Sequence, residues 1–249
     1  MSGHSKWATI KHKKAATDAR RGKAFTRLIK EITIAARNGG GDVDTNPRLR
    51  TAVLAAKAEN MPQDNIKRAI QRGTGELPGA VYEELMVEGY GPGGVALLLD
   101  ITTDNRNRTV SELRHLLSKN GGNMGEAGCV AWMFHKRGDI TVAKDRISED
   151  ELMSLVLEAG AEDMRDDGSN WEIITPSDAY EAVLQALRAR SIEPASSELG
   201  MMPQNYVKVE GKEAEQTLRL LEALDDHDDV QHVYSNFDMD ESQIAQAVS

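Results

Sequence analysis

The sequence predicts an α+β protein: an N-terminal three-helix bundle followed by two ferredoxin-like α+β domains, one inserted in the other. Three observations carry that expectation. Apolar residues recur at helical spacing up to about residue 73 and at strand spacing from Tyr82 onward. A complete strand–helix–strand–strand–helix–strand order fits within 138–203. Charge divides the chain near the same boundary. Residues 1–75 hold sixteen Lys and Arg against six Asp and Glu, a net +10, while the 249-residue chain carries −10 overall, which leaves −20 on the remainder.

Residues 1–14 are small, basic and without apolar period, and read as an arm. Trp7 within it either packs on the helices that follow or stacks on bases. A first helix is expected over about 17–38. Phe25, Leu28, Ile29, Ile32 and Ala36 form its apolar stripe, and Arg20, Lys23, Arg27, Lys30 and Arg37 fall on the opposite side. Asn38-Gly39-Gly40-Gly41 stops it. Asn46-Pro47 opens a second helix, with proline in the first turn, where its missing N–H costs nothing. Leu49, Ala52, Val53 and Ala56 are its inward face. Asn60-Met61-Pro62 separates it from a third helix, with Ile66, Ala69 and Ile70 inward and Gly73 as the expected cap. Residues 1–78 therefore read as a basic arm and a helical domain.

Beyond a glycine-bearing linker, strands at 84–90 and 95–102 flank Gly91-Pro92-Gly93-Gly94. A helix follows at 109–119, then strands at 129–135 and 139–143. Strand 205–209, helix 212–225 and strand 229–236 supply the αβ half that 82–135 lacks. The expected arrangement is a discontinuous α+β domain from 82–135 plus 205–237, holding an inserted ferredoxin-like βαββαβ domain at 138–203.

A cationic end on an anionic body suits a phosphate backbone. The candidate nucleic-acid contacts are His4, Lys6, Trp7, Lys11, His12, Lys13, Lys14, Arg20, Arg21, Lys23, Arg27, Lys30 and Arg37. The ridge on the first helix is mostly Lys and Arg and has no helix-turn-helix spacing, so phosphate contact of low sequence specificity is expected. A second phosphate site is read at Asn105, Arg106 and Arg108. Two arginines at a helix N-terminus oppose its dipole unless an anion lies between them, and there they would cradle a phosphate. An internal carboxylate is the alternative.

Other motifs carry less. The glycines at 89–94 match G-x-G-x-x-G by letter, but a strand rather than a helix follows them, so they read as a hairpin turn. The run Asp225-Asp226-His227-Asp228-Asp229 reads as a solvated acidic turn rather than a metal site. Cys129 is alone, which gives no disulfide framework and no cysteine zinc site. Ser111 and His115 lie one helical turn apart without an orienting acid or oxyanion hole. No catalytic residue, cofactor, metal or small-molecule substrate is expected, and the chain does not read as an enzyme. No run of about 18 apolar residues suggests a membrane span, and the basic start lacks the apolar stretch of a secretory signal. A cytoplasmic protein is expected.

Several stretches resemble one family. Gly3-His-Ser-Lys-Trp7, Ile10-Lys-His-Lys-Lys14, Asn46-Pro-Arg-Leu-Arg50, Asn60-Met-Pro62, Glu88-Gly-Tyr-Gly-Pro-Gly-Gly94 and Thr103-Asp-Asn-Arg-Asn-Arg-Thr109 look like the YebC family, whose mitochondrial member is a translational activator of cytochrome oxidase. The match spans nearly the whole chain and is most specific before residue 135. Val43 departs from it, standing where the family pattern has proline. The resemblance implies three domains and a cytoplasmic, DNA-binding transcriptional regulator. It also implies a competing role, association with the ribosome to relieve stalled translation, so the implied partner is DNA or ribosomal RNA. A protein–protein adaptor working through the acidic body is the third class.

Overall fold

The computed structural model describes residues 18–239, with side chains from Gly22 onward. It opens with three helices: α1 (Asp18–Gly39), α2 (Pro47–Ala58) and α3 (Gln63–Thr74). Ile32, Ala35 and Ala36 of α1 pack against Leu49, Ala52, Val53 and Ala56 of α2 and against Ile66 and Ala69 of α3. Asn46 ties the first turn together. Its side-chain oxygen accepts the Leu49 N–H at 3.1 Å, and its amide donates to the carbonyls of Ala35 and Gly40 at 2.8 and 2.9 Å. Between α2 and α3, Asn60 turns the chain through a left-handed backbone, φ 57°, and Met61 is buried.

Gly73 lies inside α3 rather than capping it. It faces the Thr33 carbonyl, and a Cβ there would stand 2.7 Å from Ala36 Cβ. The left-handed cap falls instead on Gly75, φ 85°.

The chain continues through β1 (Glu83–Tyr90), β2 (Ala96–Thr103), α4 (Arg106–Lys119) and β3 (Asn123–Met124). Next come β4 (Phe134–Ala143), α5 (Glu149–Glu158), β5 (Asp163–Asp167), β6 (Asn170–Pro176), α6 (Tyr180–Ala189) and β7 (Ser196–Pro203). It closes with β8 (Val207–Lys208), α7 (Gly211–Asp225), β9 (Val230–Ser235) and β10 (Phe237–Asp238).

Two four-stranded sheets result. One has the order β5-β6-β4-β7 with every neighbour antiparallel, the ferredoxin-like order. The other has the order β3-β1-β2-β9. Its β1 lies between β2 and β3 and is antiparallel to both, as β6 lies between β4 and β5. The two sheets therefore share one plan, except that β1, the counterpart of β6, comes at the front of its unit's sequence. The fold is α+β, a helical bundle followed by two ferredoxin-like units, one interrupting the other.

Burial follows strand position. Leu97, Leu99 and Ile101 of β2 face Leu113 and Leu117 of α4 and Leu220, Leu221 and Leu224 of α7. Ala96 and Leu98, on the other face, pack with Val130, Phe134 and Tyr234. A strand covered on both faces needs no polar alternation, which is why 95–99 is continuously apolar. The second sheet packs Ile140, Val142 and Ile173 on Leu152, Val156, Val183 and Leu187.

Three expected strands are differently drawn. A short 3₁₀ turn, Ala131–Met133, precedes a single strand β4, in place of separate strands at 129–135 and 139–143. Phe134 through Thr141 form one unbroken ladder with β7, and Gly138 lies against the Tyr180 ring, where a side chain would not fit. The expected strand at 205–209 shrinks to β8, paired in parallel with β10. The glycine loop after β1 is a hairpin connection, with Gly93 and Gly94 at positive φ. Glu88, just before it, is buried. Its carboxylate accepts the N–H groups of Val130 and Ala131, both at 2.7 Å, and of Gly128, pinning the loop ahead of β4.

Gly73→Ala is expected to lower stability by about 1–3 kcal/mol through overpacking, although alanine is intrinsically the better helix residue. Gly22→Ala, in α1 with open space around it, should be neutral or stabilising. Urea unfolding of the two variants tests this. An equal gain at both sites would contradict the close α1–α3 approach.

Candidate nucleic-acid interface

Three cations of the α1 ridge, Lys23, Arg27 and Lys30, meet acidic residues at the end of α7 and in the turn before β9, residues 225–229. Lys23 Nζ lies 2.7 Å from Asp226 Oδ1, and Arg27 Nη1 lies 3.3 Å from Asp225 Oδ1. Arg27 also donates to the Asp225 carbonyl. Lys30 goes deeper. Its ammonium lies 2.6 Å from Asp229 Oδ1 and donates to the carbonyls of Asp228 at 2.8 Å and Thr102 at 3.2 Å. The Lys30 and Asp229 side chains are only 8% and 7% exposed.

Asp229 is a shared acceptor. Its Oδ2 takes hydrogen bonds from Arg108 at 2.7 Å, from Thr109 Oγ1 at 2.6 Å and from Thr103 Oγ1 at 3.2 Å. Burial alone would raise its pKa. The bonds from Lys30, Thr109 and Arg108 outweigh that and hold the carboxyl well below the usual range. Three parts of the chain converge on this one side chain: α1, the β2–α4 connection and the α7–β9 loop.

Arg48 makes a second tie. It reaches Glu31 of α1 through Nε at 2.7 Å and Nη2 at 2.9 Å, and Glu84 of β1 through Nη1 at 3.1 Å. Arg37 donates to the Tyr82 carbonyl at 3.2 Å. The helical unit is thus fastened to the first sheet along α1 and at the start of α2.

The second phosphate site resolves into separate roles. Asn105 caps α4, its side chain accepting the Arg108 N–H at 3.1 Å. Arg108 pairs with Asp104 at 3.0 Å as well as with Asp229. Those carboxylates answer the dipole mismatch that the sequence left open. Arg106 stands exposed, with no ion pair among the described residues. His4, Lys6, Trp7, Lys11, His12, Lys13 and Lys14 lie outside the described residues, as do the side chains of Arg20 and Arg21.

A cleft of about 690 Å³ opens beside this node, lined by Lys30, Tyr82, Arg108, Glu112, His115 and His227 among others. Glu112, His227 and Asp229 bring potential ligand atoms within 4.8 Å of one another. The imidazole is engaged at both nitrogens. Nδ1 accepts the Asp229 N–H at 3.1 Å, so Nε2 bears the proton and donates to Glu112 at 3.0 Å. Asp229 already has two cationic partners. This donor set suits a hydrogen-bond relay better than a divalent ion.

Sequence reasoning missed the partner of the ridge. The signal was present as two complementary blocks, cations at 23, 27 and 30 and acids at 225, 226 and 229. Nothing in either block alone says that the fold brings them together.

Comparison with known proteins gives a consistent result. A family model described as the TACO1/YebC protein N-terminal domain matches residues 5–76, and one described as the TACO1/YebC second and third domain matches residues 82–237. A probable transcriptional regulatory protein of Koribacter versatilis is 67% identical over 246 residues, covering 99% of each chain. Another, from Acidobacterium capsulatum, is 67% identical over 241 residues, covering 97% of this chain and 98% of its own. The crystal structure of a conserved hypothetical protein from Aquifex aeolicus superposes with a TM-score of 0.81 at 45% identity, over 94% of this chain and 97% of that one.

Asp229→Asn leaves Lys30 buried without its counter-charge and should cost about 3–5 kcal/mol at pH 7. The depressed carboxyl fixes the sign of the pH effect. Its stabilisation is complete above the unfolded pKa, about 3.9, and is lost as pH falls toward the folded value. The gap between wild type and variant should therefore begin to close below about pH 4. Denaturant titrations at pH 7, 5 and 3 measure it, and a gap unchanged at pH 3 would count against the node.

Proposed function

This chain belongs to the TACO1/YebC family, and from that premise we propose that it is a nucleic-acid-binding regulator of gene expression, acting on DNA as a transcriptional regulator. One observation carries the reading: a net +10 on residues 1–75 against −20 on the rest. The acidic body repels a polyanion, so contact falls on the N-terminal part. The relatives named as probable transcriptional regulatory proteins support the regulatory role. No helix among the described residues is long and apolar enough to cross a membrane.

Within the N-terminal part, cations already matched by carboxylates contribute least. Lys23, Arg27 and Lys30 are matched. The main phosphate contacts are then the arm residues His4, Lys6, Lys11, His12, Lys13 and Lys14 together with Arg20 and Arg21, with Trp7 stacking on bases. Arg37 and Arg106 are peripheral.

The test is titration of the full chain against a duplex DNA and a folded RNA at several salt concentrations. Each phosphate neutralised adds about 0.9 to the steepness of log K against log salt on duplex DNA. Deleting residues 2–14 removes four lysines and should flatten the slope by about three to four units. Trp7→Ala should lower affinity with the slope unchanged, because stacking releases no counterions. Lys23→Ala with Arg27→Ala should flatten it by well under two units. An unchanged slope on deleting the arm would place the contact elsewhere. Affinity for the RNA alone would shift the reading to the ribosome.

A further inference from the structure

We propose that α2, the turn at 59–62 and α3 form a helix-turn-helix, and that α3 lies in the major groove of duplex DNA. The inference rests on the nucleic-acid reading above and names the surface that would read sequence.

The backbone supplies the first observation. Two twelve-residue helices are joined by four residues. Asn60 takes the left-handed conformation that reverses the chain, and the Met61 N–H bonds back to the Ala56 carbonyl at 2.9 Å. Ala56, Met61, Ile66 and Ala69, all 5% exposed or less, form the seam that fixes the two helices against α1. A tight turn between helices held on a third is the frame that presents a recognition helix.

The second observation is the outer face of α3. Gln63, Lys67 and Arg68 are exposed in its N-terminal half, the half that meets base edges in such motifs. Their types match those edges: glutamine for adenine, lysine and arginine for guanine. Lys67 and Arg68 make no ion pair among the described residues, whereas the α1 cations are matched by the acidic loop. Asp64, the acid of this helix, sits in the first turn, where the dipole favours it. Lys57, exposed in the last turn of α2, is placed for a backbone phosphate.

Shape selects the partner. A helix enters the wide major groove of B-form DNA but not the deep, narrow one of A-form RNA.

The full chain would be selected against a pool of random-sequence duplexes and its bound fraction sequenced, with a folded RNA titrated alongside. Wild type should enrich one motif. Gln63→Ala and Arg68→Ala should each relax preference at one base position, by about 5- to 150-fold, with Tm unchanged because both side chains are exposed. Lys67→Ala should weaken all duplexes evenly or relax a guanine. Unaltered motif and affinity in all three variants would overturn this inference and leave the regulator reading in place. RNA binding without duplex binding would overturn it while keeping a nucleic-acid role. Binding to neither would remove both.

Discussion

Asp229 brings three parts of the chain together with one carboxylate. Lys30 comes from α1, Arg108 and Thr109 from the start of α4, and the carboxylate itself from the turn before β9. Lys30 would be costly at that depth alone, and so would the acid, whereas Arg108 reaches the carboxylate from a half-exposed position. The arrangement is stable only as a set. That makes the placement of the helical unit on the first sheet a consequence of charge matching as much as of apolar packing. The neighbouring pairs are of a different kind. Lys23–Asp226 is largely exposed and contributes about 0–1 kcal/mol. Arg48 lies between these extremes, with two carboxylates gripping one half-exposed guanidinium.

This matching changes what the basic end of the molecule has to offer. Read as a helix in isolation, α1 shows a continuous cationic ridge. In the fold, acidic residues 225, 226 and 229 pair with Lys23, Arg27 and Lys30, and that part of the ridge serves cohesion. The surplus that remains is on the arm and on the outer face of α3. The acidic body then has two physical roles, neutralising the ridge internally and keeping polyanions away from the sheets.

Most of the architecture was legible because it depends on local rules. Glycine stops, proline at a first turn and the switch from helical to strand period mark the elements, and the βαββαβ order marks the second sheet. What was not legible depends on distance. The ridge and its acids are about 200 positions apart, so no window over either contains the other. Arg108 looked like an unanswered cation at a helix start because its carboxylate, Asp229, lies far along the chain. Gly73 passed for a cap because only the packed structure brings Thr33 and Ala36 against it. The left-handed turn at Asn60 was not legible because a left-handed residue other than glycine has no distinctive spelling.

The central claim is that Lys30 and Asp229 act as one buried unit. A double-mutant cycle measures this directly, with Lys30→Met, Asp229→Asn and the pair compared by urea unfolding. Each single change strands a buried partner, whereas the double change removes both. The predicted result is a coupling energy of about 3–5 kcal/mol, as large as either single loss, with the double variant scarcely less stable than either single one. Additive losses, with coupling below about 0.5 kcal/mol, would show two independent side chains and contradict the account.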